Sequence, residues 1–133
     1  MRASAEEQIS AFLANKPGVV ADLCAAFTEQ RINIRAVTVL DTVDIGTMRL
    51  VVDDVEAAKE ALKVAGAAFV VVPVIAVPVR NKPGSFARAA RTIANAGVNI
   101  EYVYGTAMPG ADRTLVIFRV SDHQKALQLE FED

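Results

Sequence analysis

The tetrapeptide Asn-Lys-Pro-Gly stands at residues 15–18 and returns at 81–84, an offset of 81 − 15 = 66 in a chain of 133 residues. An Asn-Ile pair follows each copy at the same distance, Asn33-Ile34 and Asn99-Ile100. Two matches in register at one spacing mark an internal duplication, so the chain must fold as two copies of one supersecondary unit. Each tetrapeptide follows a β-like run and opens a helix-like one. The repeated residues therefore fall where a backbone can receive a small ligand.

In the first copy, Gln8–Ala14 is apolar-rich and closed by the tetrapeptide, so it reads as a strand. Pro17 suits the first helical turn, where its missing N–H would be unpaired anyway. Val20, Leu23, Cys24 and Phe27 follow at i, i+3, i+4 and i+7, one buried helical stripe. Asn33–Leu40 reads as a second strand, Asp41–Gly46 as a polar turn served by Asp41 and Asp44, and Thr47–Val52 as a third strand. A helix over Asp54–Val64 has Asp53 or Asp54 near its N-cap and Gly66 past its end. Phe69–Val72 closes a βαββαβ order.

The second copy repeats the order with a strand over Val74–Arg80, a helix stripe of Phe86, Ala89, Ala90 and Ile93, strands over Asn99–Ala107 and Thr114–Val120, and a helix over Asp122–Glu130. It has no sequence for a fourth strand. Val74–Arg80 is then predicted to be a sheet edge, which tolerates Pro78, unless another strand covers it. Tyr102 and Tyr104 share one face of their strand, and Leu115–Phe118 is apolar on both faces. Helices cover one face only, so a symmetric homodimer is the simplest cover for the other.

Composition narrows the function classes. At 53% hydrophobic and 23% charged residues the chain is an ordered globular protein. A net charge of −2 argues against nucleic acid as the main partner, because a phosphate-tracking surface needs a basic excess. The one cysteine, Cys24, permits no intrachain disulfide and reads as a small core hydrophobe. The stretch MRASAEEQIS has no apolar signal core. The longest apolar run, Ala67–Val79, is too short for a membrane helix, contains Pro73 and Pro78, and reads as two strands meeting at Pro73. The expectation is a soluble cytoplasmic protein with no membrane partner. One histidine, His123, and one cysteine exclude His/Cys metal clusters; no Ser-His-Asp pattern, Walker loop or dinucleotide fingerprint is present. No cofactor and no catalytic residue is assigned. His123 reads as a surface residue, Lys16 and Lys82 as solvated loop charges, and the tyrosines as interface residues.

The segments FLANKPGVVADL, RINIRAV, GTMRLVVDD, VPVRNKPGSFARA, GVNIEYVY and LVIFRVSD, taken in order, resemble the ACT-domain family, and more narrowly a small stand-alone tandem ACT protein. The resemblance covers nearly the whole chain. It implies an α+β fold of two ferredoxin-like βαββαβ units, residues 6–73 and 74–133, with antiparallel sheets, helices on one face, and a last strand absent or short in the second unit. It also implies amino-acid binding at the seam between two units through the first strand–helix loop, and allosteric regulation of a metabolic enzyme. One departure is Arg31, which stands where the second copy has Gly97; a left-handed backbone there costs a side chain about 1 kcal/mol.

A free amino acid presents a carboxylate, which needs N–H donors, and an ammonium, which needs oxygen acceptors. Gly18-Val19 and Gly84-Ser85 offer backbone N–H groups at a helix N-terminus, with Asn15, Pro17, Asn81 and Pro83 shaping the loops. Asn33 and Asn99 offer side-chain carbonyls and amides. Pro-Gly is also an ordinary turn and Asn is common at strand starts. Three other readings stay open: an enzyme on a ferredoxin-like dimer, a regulatory subunit that binds no ligand, and an RNA-recognition sheet, which the acidic balance opposes.

Overall fold

The computed structural model describes residues 1–41 and 45–133. Asp44, with the rest of 42–44, lies outside the described residues. The elements are β1 (Ser4–Ala14), α1 (Val19–Glu29), β2 (Ile34–Asp41), β3 (Ile45–Val52), α2 (Val55–Val64), β4 (Ala68–Arg80), α3 (Ser85–Asn95), β5 (Ile100–Gly105), β6 (Arg113–Val120) and α4 (His123–Leu127).

The chain divides into two compact units, one formed by Glu7–Val72 and the other by Met1–Glu6 with Pro73–Asp133. In the first unit the strand order is β2-β3-β1 followed by the opening residues of β4; in the second it is the opening residues of β1 followed by β4-β6-β5. Each is a ferredoxin-like α+β unit. β1 pairs antiparallel with β3 from Ile9↔Leu50 to Ala14↔Ile45, and β4 with β6 from Ile75↔Phe118 to Arg80↔Arg113.

Period-two alternation builds each core. Ile9, Ala11 and Leu13 of β1 and Met48, Leu50 and Val52 of β3 face Leu23 and Phe27 of α1 and Ala58 and Leu62 of α2. In the second unit Ile75, Val77 and Val79 join Val116, Phe118 and Val120 against Ala89, Ile93 and Ala126. Burying a side chain the size of Phe27 or Phe118 contributes about 1.5–3 kcal/mol.

Leu23, Phe27, Ala89 and Ile93 are buried as the spacing predicts, but the first residue of each predicted stripe is not. Val20 is 41% exposed and Phe86 49%, while Val19 packs on the first core and Ser85 is buried in the second. Phe86 instead stacks on Phe118 with ring centroids 6.1 Å apart. The helices begin directly after the glycines, so residues spaced four apart from the first helical position (Val19, Leu23 and Phe27; Ser85, Ala89 and Ile93) take the inner face.

The predicted edge is also corrected. β4 is one strand through Pro73, not two, and it lies between β1 and β6. A proline's fixed φ suits extended backbone and removes only a donor. Ser4 Oγ donates to the Ala76 carbonyl at 3.4 Å, so the first residues of β1 take the fourth-strand place in the second unit. Pro78 lies two residues beyond Ala76, past the start of β1, where no N–H is required on that side. Residues 128–133 form no strand; the final helix ends at Leu127 rather than Glu130, and Phe131 turns into the second core. Met1 and Phe131 exchange backbone bonds of 2.7 Å in both directions.

Candidate functional site

Each tetrapeptide makes the same local structure. Gly18 has φ 87° and ψ −15° and Gly84 φ 89° and ψ −15°, both left-handed, both at the N-cap, and neither helix has a side-chain cap. The Gly18 carbonyl accepts from Asp22 N and the Gly84 carbonyl from Arg88 N, each at 2.9 Å. Val19 N–H and Ser85 N–H reach back to Lys16 and Lys82 carbonyls only at 3.5 and 3.3 Å. The first turn of a helix leaves its remaining N–H groups without intrahelical partners, with the positive end of the dipole behind them.

Asn15 and Asn81 brace these loops. Asn15 Nδ2 donates to Asp41 Oδ1 at 2.7 Å, and Asn81 Nδ2 donates to the Met108 and Ala111 carbonyls at 2.9 and 3.0 Å. Each ties a loop to the far end of the neighbouring hairpin. Asn33 and Asn99 sit at the opposite end of their sheets. Asn33 N–H donates to Asp53 Oδ1 at 3.0 Å and its carbonyl accepts from Asp53 N at 3.1 Å. Asn99 N–H donates to Ser121 Oγ at 2.9 Å and its carbonyl accepts from Ser121 N at 2.9 Å. The eight residues of β2 separate Asn33 from its own unit's loop by roughly 23 Å. Within a unit, therefore, Gly18 and Asn33 are not brought together, nor are Gly84 and Asn99.

A pocket opens beside each loop. In the first unit Phe12, Leu13, Ala14, Val19, Asp22 and Leu23, with Ala65 and Ala67, line a cavity of about 280 Å³. In the second, Val79, Arg80, Ser85, Arg88 and Ala89, each 66 residues beyond a counterpart, line a cavity of about 30 Å³ with Lys82 and residues 131–133. The position four residues after the glycine carries opposite charges. Asp22 Oδ2 lies 4.0 Å from where a Cβ on Gly18 would stand, and Arg88 Nη1 lies 2.6 Å from the same point on Gly84. Ser85 is buried and its hydroxyl accepts from Arg88 Nη2 at 3.3 Å. Asp22, Arg80 and Arg88 were not among the residues picked out from sequence. The signal was available in the repeat itself, because position i+4 stands over the first turn of a helix.

Other candidates resolve locally. Asp54 caps α2, accepting from Ala57 N at 3.0 Å, and Asp122 caps α4 through Lys125 N at 3.0 Å. His123 is half-buried rather than a surface residue, and its Nδ1 is buried without a hydrogen-bond partner. Burial pushes the Cys24 thiol above its ordinary range. Among the described residues no group of three His, Cys, Asp or Glu is arranged to hold a metal, and no helix is long and apolar enough to cross a membrane.

The chain is similar to protein BT0572 from Bacteroides thetaiotaomicron, at 29% identity over 95% of this chain and 86% of that one, with a TM-score of 0.87. It shares its fold with the ligand-free regulatory subunit of aspartate kinase from Thermus thermophilus (21% identity, 96% and 93% covered, TM-score 0.70). The regulatory subunit of aspartate kinase from Thermus flavus has the same fold (17% identity, 96% and 94% covered, TM-score 0.59). No curated protein sequence matches. The family model described as an ACT domain pair matches residues 5–132, and the chain belongs to that family.

Proposed function

We propose that this protein is a non-catalytic, amino-acid-binding regulatory protein that acts on a metabolic enzyme. The observation that carries the reading is the open pocket beside Gly18. A left-handed glycine leaves its helix N-terminus unshielded, and the cavity of about 280 Å³ has the size of a small-metabolite site. The ligand carboxylate takes the N–H groups after Gly18, and Asp22, on the same turn, accepts from the ammonium. Leu13, Val19 and Leu23 offer apolar wall to the side chain. Membership of the ACT domain pair family supports the ligand class and the regulatory role. The regulatory-subunit neighbours of aspartate kinase suggest the kind of target, an enzyme of amino-acid metabolism.

Asn33 and Asn99 enter this reading as groups supplied by a different ACT unit, because each lies at the far end of its own. A homodimer is one source of such a unit. Ligand that bridges two units favours their paired state only by its differential affinity for it.

Thermal unfolding in the presence of each common amino acid tests the proposal. A ligand at 100 times its dissociation constant stabilises by about 2.7 kcal/mol. Asp22→Ala abolishes the shift without unfolding the protein, and Asn33→Ala with Asn99→Ala weakens it. A full panel without any shift would sink the reading.

A further inference from the structure

The two pockets that the repeat creates are not alike, and the difference lies in what fills them. The second pocket has three basic side chains around it, Arg80, Lys82 and Arg88; their counterparts in the first copy are Ala14, Lys16, which does not line the first pocket, and Asp22. Its remaining volume of about 30 Å³ has room for about one or two waters and not for an amino acid. Residues 131–133 take the rest. Glu132 Oε2 meets Arg88 Nε at 2.6 Å, and the Asp133 carbonyl accepts from Arg80 Nε at 3.1 Å. Phe131, 4% exposed, anchors this segment in the core, and its backbone is paired with Met1.

We propose that residues 131–133 are a built-in plug, an acidic segment seated on the Arg80 and Arg88 side chains beside the second helix N-terminus, in the pocket that a carboxylate ligand would enter. The chain then holds one open site, beside Gly18, and one occupied site, beside Gly84. The inference rests on reading these loops as carboxylate sites. The plug is anchored firmly at Phe131 and weakly at its tip. Arg88 and Glu132 are exposed by 43% and 72%, and an ion pair so exposed is readily displaced by salt or by a competing anion. An anion with charge to match Arg80 and Arg88 gains access by swinging Glu132 aside, while Phe131 stays in place.

The test is amide NMR at Val19 and Ser85, with inorganic phosphate as one probe and the common amino acids as a second. The proteins are the wild type, Glu132→Ala, and Glu130→Ala, which removes the same charge but contacts Met1 and Arg2 rather than Arg88. Phosphate affinity at Ser85 rises about fivefold in Glu132→Ala, the ceiling for an exposed pair, and stays unchanged in Glu130→Ala. Equal affinity in all three, or equal tightening in both variants, overturns the plug. With amino acids, wild type responds at Val19 and not at Ser85. A wild-type response of equal strength at both amides also overturns it. Absence of any amino-acid response sinks the proposed function, and the phosphate arm still decides the plug.

Discussion

Gly18 and Gly84, 66 residues apart, hold the same left-handed backbone to within two degrees in φ and agree in ψ. They differ in what stands over them. The Gly18 face is open to Asp22 at 4.0 Å, and the Gly84 face is covered by the Arg88 guanidinium.

Alanine substitution separates the two effects. Gly18→Ala meets no close atom and carries only the left-handed strain, less the entropy it removes from the unfolded chain, for a net loss of about 1 kcal/mol. Gly84→Ala carries the same strain and also pushes Arg88 Nη1 from 2.6 Å, a flexible group that swings away. Urea unfolding of both variants is expected to give similar losses, with the Arg88–Glu132 pair broken in Gly84→Ala alone. A loss above about 3 kcal/mol in Gly18→Ala would contradict this account.

Arg31 is the one described non-glycine residue with positive φ, at 56°. Its helix ends as the second copy's does. Ile32 N–H bonds the Phe27 carbonyl and Arg31 N–H that of Thr28, matching Val98 to Ile93 and Gly97 to Ala94. The same Schellman turn is thus built with glycine in one copy and strained arginine in the other. Arg31→Gly is expected to stabilise by up to about 1 kcal/mol, read as a raised urea midpoint at unchanged m-value. A lowered midpoint would mean that the arginine side chain contributes more than its backbone costs.

Cys24 provides a pH-dependent reading. Its folded thiol titrates above the unfolded one because burial disfavours the thiolate. The stability this gives is full below the unfolded thiol's pKa and is lost as pH climbs towards the folded value. Labelling by a thiol reagent at pH 8 is expected to be slower than that of an exposed cysteine, and to accelerate as pH rises. Labelling as fast as that of an unfolded peptide would contradict the burial of the side chain.

The duplication, the order of elements and the two helix-opening turns were legible in the sequence because each has a short local cause. The glycines supply positive φ and strand alternation shows in eight-residue windows, whereas Pro17 and Pro83 stand one residue before the N-cap glycines and not in the first helical turn as the spacing predicts. In α1 and α3 only the opening residue of the inner face was misread. Val20 and Phe86 fit the apolar spacing as well as Val19 does, and Ser85 looks polar until Arg88 is seen beside it. Most of what the sequence concealed is non-local. Ser4–Glu7 is too polar to announce a strand, and its partner Ala76 is 72 residues away. The segment carrying Phe131 and Glu132 returns to a loop about fifty residues earlier. The loops were visible as candidate sites, but the contrast between an open and a filled pocket depends on that return.

β1 and β4 are the longest strands because each serves both units, residues 4–6 of β1 going to one and the remainder to the other. A fragment cut between Val72 and Pro73 would therefore strand its later half with a bare, hydrogen-bond-hungry border along Val74–Ala76. Such a border recruits any extended segment it meets, so gene halves expressed apart should clump or swap arms, and recover only when the missing N-terminal ribbon is restored.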